Sequence, residues 1–172
     1  VGTVWRTADA FGADGLILLP GCADPFSPKT VRATMGACFR LPVWEMERET
    51  LTARLTDAAL PLYATALRAD TEDVRRADLR RCAVVIGSEG KGVSEETLAL
   101  CGQTLKIPMR ARCESLNAAV AASVVLWEMA RSGLSIGNER GDGGYGESEI
   151  LAVADHAKGA APRARRPAAG AF

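Results

Sequence analysis

The stretch VVIGSEGKGVSEE (84–96) fixes how the rest of the chain is read. A short apolar run ends at Gly87, and Gly90 and Gly92 follow, so three glycines fall within six residues. A buried strand opening into a glycine loop is the strand-to-loop junction of an open α/β sheet, where ligands sit beyond the carboxyl ends of strands. The loop carries a carboxylate, Glu89, in its middle. A phosphate cradle requires G-x-x-x-x-G-K-[ST], and here Gly92 follows Lys91 where a hydroxyl residue is needed. The dinucleotide pattern G-x-G-x-x-G fails as well, and Glu89 would repel a phosphate. An NTPase is thus a poor rival; a tight structural turn remains open on this stretch alone. A neutral or cationic ligand meets no such objection, because glycine lets backbone groups approach it closely.

Outward from the loop, helical and strand-like segments alternate. TVWRTADAFG reads as a helix stopped by Gly12, and DGLILLP as a buried strand. SPKTVRATMGA begins with a capping Ser27 and Pro28 at the first helical position. FRLPVWEM is ambiguous, RETLTARLTDA is an amphipathic helix and LPLYATAL a second apolar run. DVRRADLR reads as a short polar helix or turn, SEETLALC as a helix and TLKIPM as a strand. The last ordered segment is a long helix in SLNAAVAASVVLWEMARSG, with Ser115 as N-cap and Gly133 as stop. Apolar strands separated by helices predict an α/β fold with a parallel sheet covered on both faces.

From about Ser135 the composition turns to Gly, Ala, Pro and Arg, so residues 135–172 are expected to form a flexible tail. Lys158, Arg163, Arg165 and Arg166 make it locally basic. A solvated tail is favoured over an RNA contact there. The 172 residues suffice for one domain with a real core. Twenty-one basic residues balance twenty-one acidic ones, so no global field draws nucleic acid. Five scattered cysteines and one histidine, His156, point to reduced thiols and to no metal site. Without a membrane-length apolar run or a signal pattern, the expected location is cytoplasmic and no membrane partner is expected.

Two further junctions bear on the loop. LKIPM is rigidified by Pro108 and suits the opposite wall of a pocket, and ESLNAAVAAS brings Ser115 and Asn117 to a helix start. For those two, a purely local capping role weighs about as much as a place in a pocket.

Together, VGTVWRTADAFGADGLIL, VVIGSEGKGVSEE and LKIPMRARCESLNAAVAASVVLWEMAR resemble, in order and spacing, motifs 1, 2 and 3 of the SpoU (TrmH) family of RNA ribose 2′-O-methyltransferases, in the SPOUT superfamily. The likeness covers about residues 1–133. It implies a catalytic domain over 1–134, a C-terminal trefoil knot, a homodimer, and S-adenosylmethionine as methyl donor to rRNA or tRNA. The implied cofactor positions are Thr65, Ala66, Gly87, Glu89, Gly90, Ile107, Met109, Leu116, Asn117 and Ala118. The implied catalytic positions are Arg6, Glu89, Ser115 and Asn117. Glu89 would orient Arg6 or hold Asn117, and Arg110 and Arg112 would be minor RNA contacts. The family's Asn before Val1 and the strand ahead of it are absent, so the sheet is expected to lack its first strand. A non-catalytic RNA- or cofactor-binding remnant is the alternative function.

Overall fold

The computed structural model describes residues 1–68, 71–113, 115–131 and 149–155. Among the described residues, seven strands form one sheet in the order β2-β1-β7-β5-β3-β6-β4. They are β1 (Gly15–Leu18), β2 (Val43–Glu45), β3 (Leu62–Thr65), β4 (Glu72–Asp73), β5 (Arg81–Ile86), β6 (Gln103–Lys106) and β7 (Glu149–Ala154). All six pairings are parallel. The α-helices are α1 (Gly2–Ala10), α2 (Pro28–Thr34), α3 (Arg48–Asp57), α4 (Glu95–Leu98) and α5 (Ala118–Ala130).

Strand periodicity distributes the core over two faces. Leu16, Leu18, Cys82, Val84, Ile86 and Ala152 point to one side, where Val4, Trp5 and Ala8 of α1 meet Ala122, Val125, Leu126 and Met129 of α5. Ile17, Leu19, Ala83, Val85 and Val153 point to the other, against Leu51 and Leu55 of α3 and Leu98 of α4. Leu51 and Leu55 lie one turn apart, which is the amphipathic stripe expected of that helix. Trp5 is 1% exposed, and its Nε1–H donates to the Leu41 carbonyl at 2.9 Å, fixing α1 on the sheet.

Helix starts follow local chemistry. Ser27 accepts the Thr30 N–H with Pro28 in the first turn, and Gly12, at φ +71°, follows the end of α1. The ambiguous FRLPVWEM segment supplies β2, paired to β1. The polar stretch after residue 72 begins as β4, hydrogen-bonded to β6, and then turns.

Two expectations need correction. Asn117, not Ser115, caps α5: its Oδ1 accepts the N–H groups of Ala119 and Val120 at 3.0 and 3.3 Å. Glu149–Ala154 is no tail. It is β7, between β1 and β5 near the middle of the sheet, paired to both. Its apolar run is short and flanked by Gly- and Ala-rich sequence, so composition hid a strand. The sheet is continuous from β2 to β4, with β7 lying between β1 and β5. Gly133, His156, Lys158, Arg163, Arg165 and Arg166 lie outside the described residues.

Candidate functional site

The carboxyl edge of the sheet gathers the loops singled out in the sequence. Ala64 pairs with Val85, and Thr65 with Leu105. Continuing these registers brings Ala66 opposite Gly87 and Lys106, with Ile107 one residue further along the same edge beyond β6. The Ala66 N–H donates to the Leu105 carbonyl at 3.2 Å, and the Thr65 hydroxyl donates to the Val85 carbonyl at 3.1 Å. Met109 and Leu116 follow in the segment leading to α5, Met109 exposed and Leu116 half-buried.

The glycine loop closes on itself. Ser88 and Gly92 exchange both backbone hydrogen bonds, at 3.0 and 2.9 Å, and Gly92 adopts φ +68° to allow it. A Cβ on Gly87 would stand 2.2 Å from the Gly92 carbonyl carbon, so the start of the loop admits only glycine. Gly90 is the reverse: a Cβ there would meet nothing within 4 Å. The loop is therefore tight at its neck and open at its tip.

That tip borders a cavity of about 850 Å³ between the loop and the first turns of α1 and α5. Residues 88–91, Val1, Thr3, Val4, residues 117–120 and Ser123 line it. Across its edge the Asn117 Nδ2 donates a hydrogen bond to the Glu89 carboxylate, while the Asn117 Oδ1 caps α5. One amide thus joins the loop to the helix with both of its ends engaged. Glu89 supplies negative charge and Lys91 positive charge at the cavity wall, and both are exposed.

Of the sequence-predicted positions, the cavity unites Glu89, Gly90, Asn117 and Ala118. Thr65, Ala66, Gly87 and Ile107 form the adjoining strand edge. Arg6 stands on the exposed side of α1 with no hydrogen bond or ion pair among the described residues, and it is not part of the cavity lining. Ser115 is exposed, two residues ahead of the α5 cap, and Arg110 and Arg112 are exposed as well. Glu89 pairs with Asn117 rather than with Arg6 of its own chain. Sequence reading missed Thr3 and Lys91 as wall residues, although both lie inside quoted motifs; it also missed Asp155, which no motif marked.

Asp155 follows β7 and is 3% exposed. Its backbone N–H donates to the Ile86 carbonyl at 3.0 Å, and its Oδ2 accepts the Ser94 N–H at 2.8 Å. Arg48 Nη2 lies 3.5 Å from its Oδ1, and Arg48 Nε donates to the Thr97 hydroxyl at 2.9 Å. Burial, with the Asp155 charge second, pushes the Cys22 thiol up to about 11 and the Cys101 thiol to about 12. All five thiols are free, and no group of three or more potential metal ligands comes together among the described residues. None of the described helices is long and apolar enough to cross a membrane.

A site of this kind, a self-closed glycine loop at a parallel-sheet edge beside a helix N-terminus, suits a small cationic or zwitterionic ligand. The SpoU rRNA methylase family model matches residues 1–127, and the chain belongs to that family. It is 38% identical over 133 residues to an uncharacterized tRNA/rRNA methyltransferase of Synechocystis sp., across 76% of this chain and 48% of that one. It is 33% identical over 129 residues to the 23S rRNA (guanosine(2553)-2′-O)-methyltransferase RlmP of Bacillus subtilis, across 75% of this chain and 52% of that one. The AdoMet-bound rRNA methyltransferase of Sinorhizobium meliloti superposes with a TM-score of 0.70 at 41% identity, across 78% of this chain and 52% of that structure. The chain spans about half the length of the curated relatives it matches.

Proposed function

We propose that this chain is the catalytic part of an enzyme that transfers a methyl group from S-adenosylmethionine to a ribose 2′-hydroxyl of rRNA or tRNA. The observation that carries the reading is the Glu89–Asn117 bond at the rim of the cavity, in a chain of the SpoU family. The residues fit the donor: the open tip at Gly90 lets a flat, bulky group approach, and the Glu89 carboxylate complements a cation while disfavouring a phosphate. Bound S-adenosylmethionine supplies an electrophilic methyl on a sulfonium centre.

The chain's own residues do the rest. Asn117 locks the loop to α5, so the wall is formed before ligand arrives, and a preformed wall lowers the ordering cost of binding. Thr65, Ala66, Gly87, Ile107, Met109, Leu116 and Ala118 complete the donor pocket along the strand edge. A 2′-hydroxyl is a poor nucleophile, and its oxygen gains negative charge as the proton leaves. Arg6 stabilises that charge and anchors a neighbouring phosphate, acting electrostatically because a guanidinium does not give up its proton near neutral pH. Ser115 adds a polar contact beside the ribose.

Arg6 is absent from the cavity of its own chain, which supports a homodimer in which a second copy presents it. Exposed Val120 and Trp127, seven residues apart on α5, are consistent with that assembly. The trefoil knot belongs to the same reading: α5 packs on α1 and β5, although β6, which precedes it, lies two strands away from β5. Free thiols agree with a cytoplasmic enzyme.

The test is incubation with methyl-labelled S-adenosylmethionine and total RNA, followed by mapping of 2′-O-methylated positions. Arg6→Ala is expected to lower transfer by roughly a hundredfold or more while donor affinity changes little. Equal loss of both would make Arg6 a structural residue. Donor binding with no transfer to any RNA would identify a remnant instead of an enzyme.

A further inference from the structure

The eight residues from Gly87 to Ser94 leave the sheet at β5 and return to α4, and one residue from a distant part of the chain bonds both ends. The Asp155 N–H donates to the carbonyl of Ile86, the residue before Gly87, at 3.0 Å. The Asp155 Oδ2 accepts the N–H of Ser94, the N-cap of α4, at 2.8 Å. Its other oxygen, Oδ1, makes no hydrogen bond and faces Arg48 Nη2 at 3.5 Å, so the carboxylate is buried beside a cation instead of solvated. Arg48 in turn holds Thr97 and lies 3.7 Å from Glu96 on α4. Asp155 itself is held by β7, whose Ala154 carbonyl accepts from the Leu19 N–H at 3.0 Å.

We propose that Asp155 is a positioning residue that clamps the glycine loop, setting the separation of its two ends and hence the placement of Glu89 and Gly90 at the cavity. A buried carboxylate with one oxygen on the loop and the other toward Arg48 has one low-energy orientation, and so transmits the strand's position to the loop. The Glu89–Asn117 bond fixes only the middle of the loop, and from an exposed position where water competes. The clamp therefore decides how much of the time the loop is in the shape that Asn117 can meet. Its effect on ligand rests on the methyl-donor reading above; its effect on the loop does not.

Backbone hydrogen exchange and calorimetric titration with S-adenosylmethionine, both on the full chain, test the clamp. In Asp155→Ala the amides of residues 87–94 should exchange roughly tenfold faster, with those of 81–86 protected as before, and donor affinity should fall about tenfold. Asp155→Asn retains an acceptor for the Ser94 N–H and should restore part of the loop protection and of the affinity. Unchanged loop exchange in Asp155→Ala would overturn the proposal. So would equal loss of protection in residues 81–86 and 87–94 in both variants, which would reduce Asp155 to a strand-end residue. If the loop responds as expected but the unaltered chain binds no S-adenosylmethionine, the clamp stands and the methyl-donor reading falls.

Discussion

Glu89 and Asp155 both hold the glycine loop by a carboxylate, and they do so from opposite environments. Glu89 is exposed at the cavity and meets a neutral amide, whereas Asp155 is 3% exposed, accepts a backbone N–H and faces a guanidinium. The burial of the second makes its loss a stability event, since the Ser94 N–H would lose its acceptor and Arg48 its buried carboxylate neighbour. The exposure of the first makes its loss nearly silent for folding and direct for any ligand in the cavity. The loop thus separates the two demands: its ends are fixed by the core and its tip is left free for recognition.

Breaking the buried side altogether should give the largest effect. A chain ending at Arg131 loses β7, and with it the strand that joins β1 and β2 to the remaining four strands. Two ladders and the buried Ala152 and Val153 side chains go together, a loss of roughly 5 kcal/mol or more, comparable with the whole stability of a domain. Circular dichroism and denaturant titration should show little or no cooperative unfolding. A truncated chain with a full-length transition would mean that β7 is dispensable.

The contrast can be sharpened within the loop. Gly87→Ala places a Cβ 2.2 Å from backbone carbon and should cost about 2 kcal/mol, because backbone on both sides leaves nothing to yield. Gly90→Leu meets open space and should alter stability by less than about 0.5 kcal/mol. On the proposed function it should nevertheless abolish donor binding, measured by calorimetry. Two glycines three residues apart would then report separately on folding and on ligand. Donor affinity unchanged in Gly90→Leu would remove the loop tip from the binding site.

Which parts of this were legible beforehand follows from the kind of signal each carries. The run CAVVIG and the three glycines announce a strand and a loop through local composition, and Ser27 with Pro28 announces a helix start by the bonds its first turn leaves unmade. The site motifs could be located for the same reason, since Glu89, Gly90 and Asn117 lie in segments whose chemistry is local. Asp155 has no such marker. It becomes important only because β7 crosses the sheet from a sequence distance of 61 residues to reach Ser94, and long-range placement leaves no local trace. The Ser115 cap failed for a narrower reason: Ser and Asn both cap helices, and the choice between neighbours two residues apart was decided by which side chain could serve α5 and Glu89 at once.

The smallest expected effect distinguishes the two environments by pH. Cys22 and Cys101 lie near Asp155, and burial with that charge raises their thiols to about 11 and 12 from an ordinary 9.0. The folded chain therefore binds these protons more tightly than the unfolded chain. Their contribution to stability is complete below pH 9 and declines as pH rises through 9 toward 11 and 12, because the unfolded thiols ionise first. Denaturant midpoints measured from pH 7 to 10.5 should be flat at first and then fall. Replacing the charge in Asp155→Asn should leave the onset near 9 where it is and make the total fall smaller, since the charge repelling the thiolates is gone and the folded-state thiols ionise closer to their unfolded range. The Glu89→Gln chain, whose altered carboxylate stands in water by Asn117, should trace the same alkaline curve as the unaltered protein. A matching change in both variants would mean that the two carboxylates do not occupy different electrostatic surroundings.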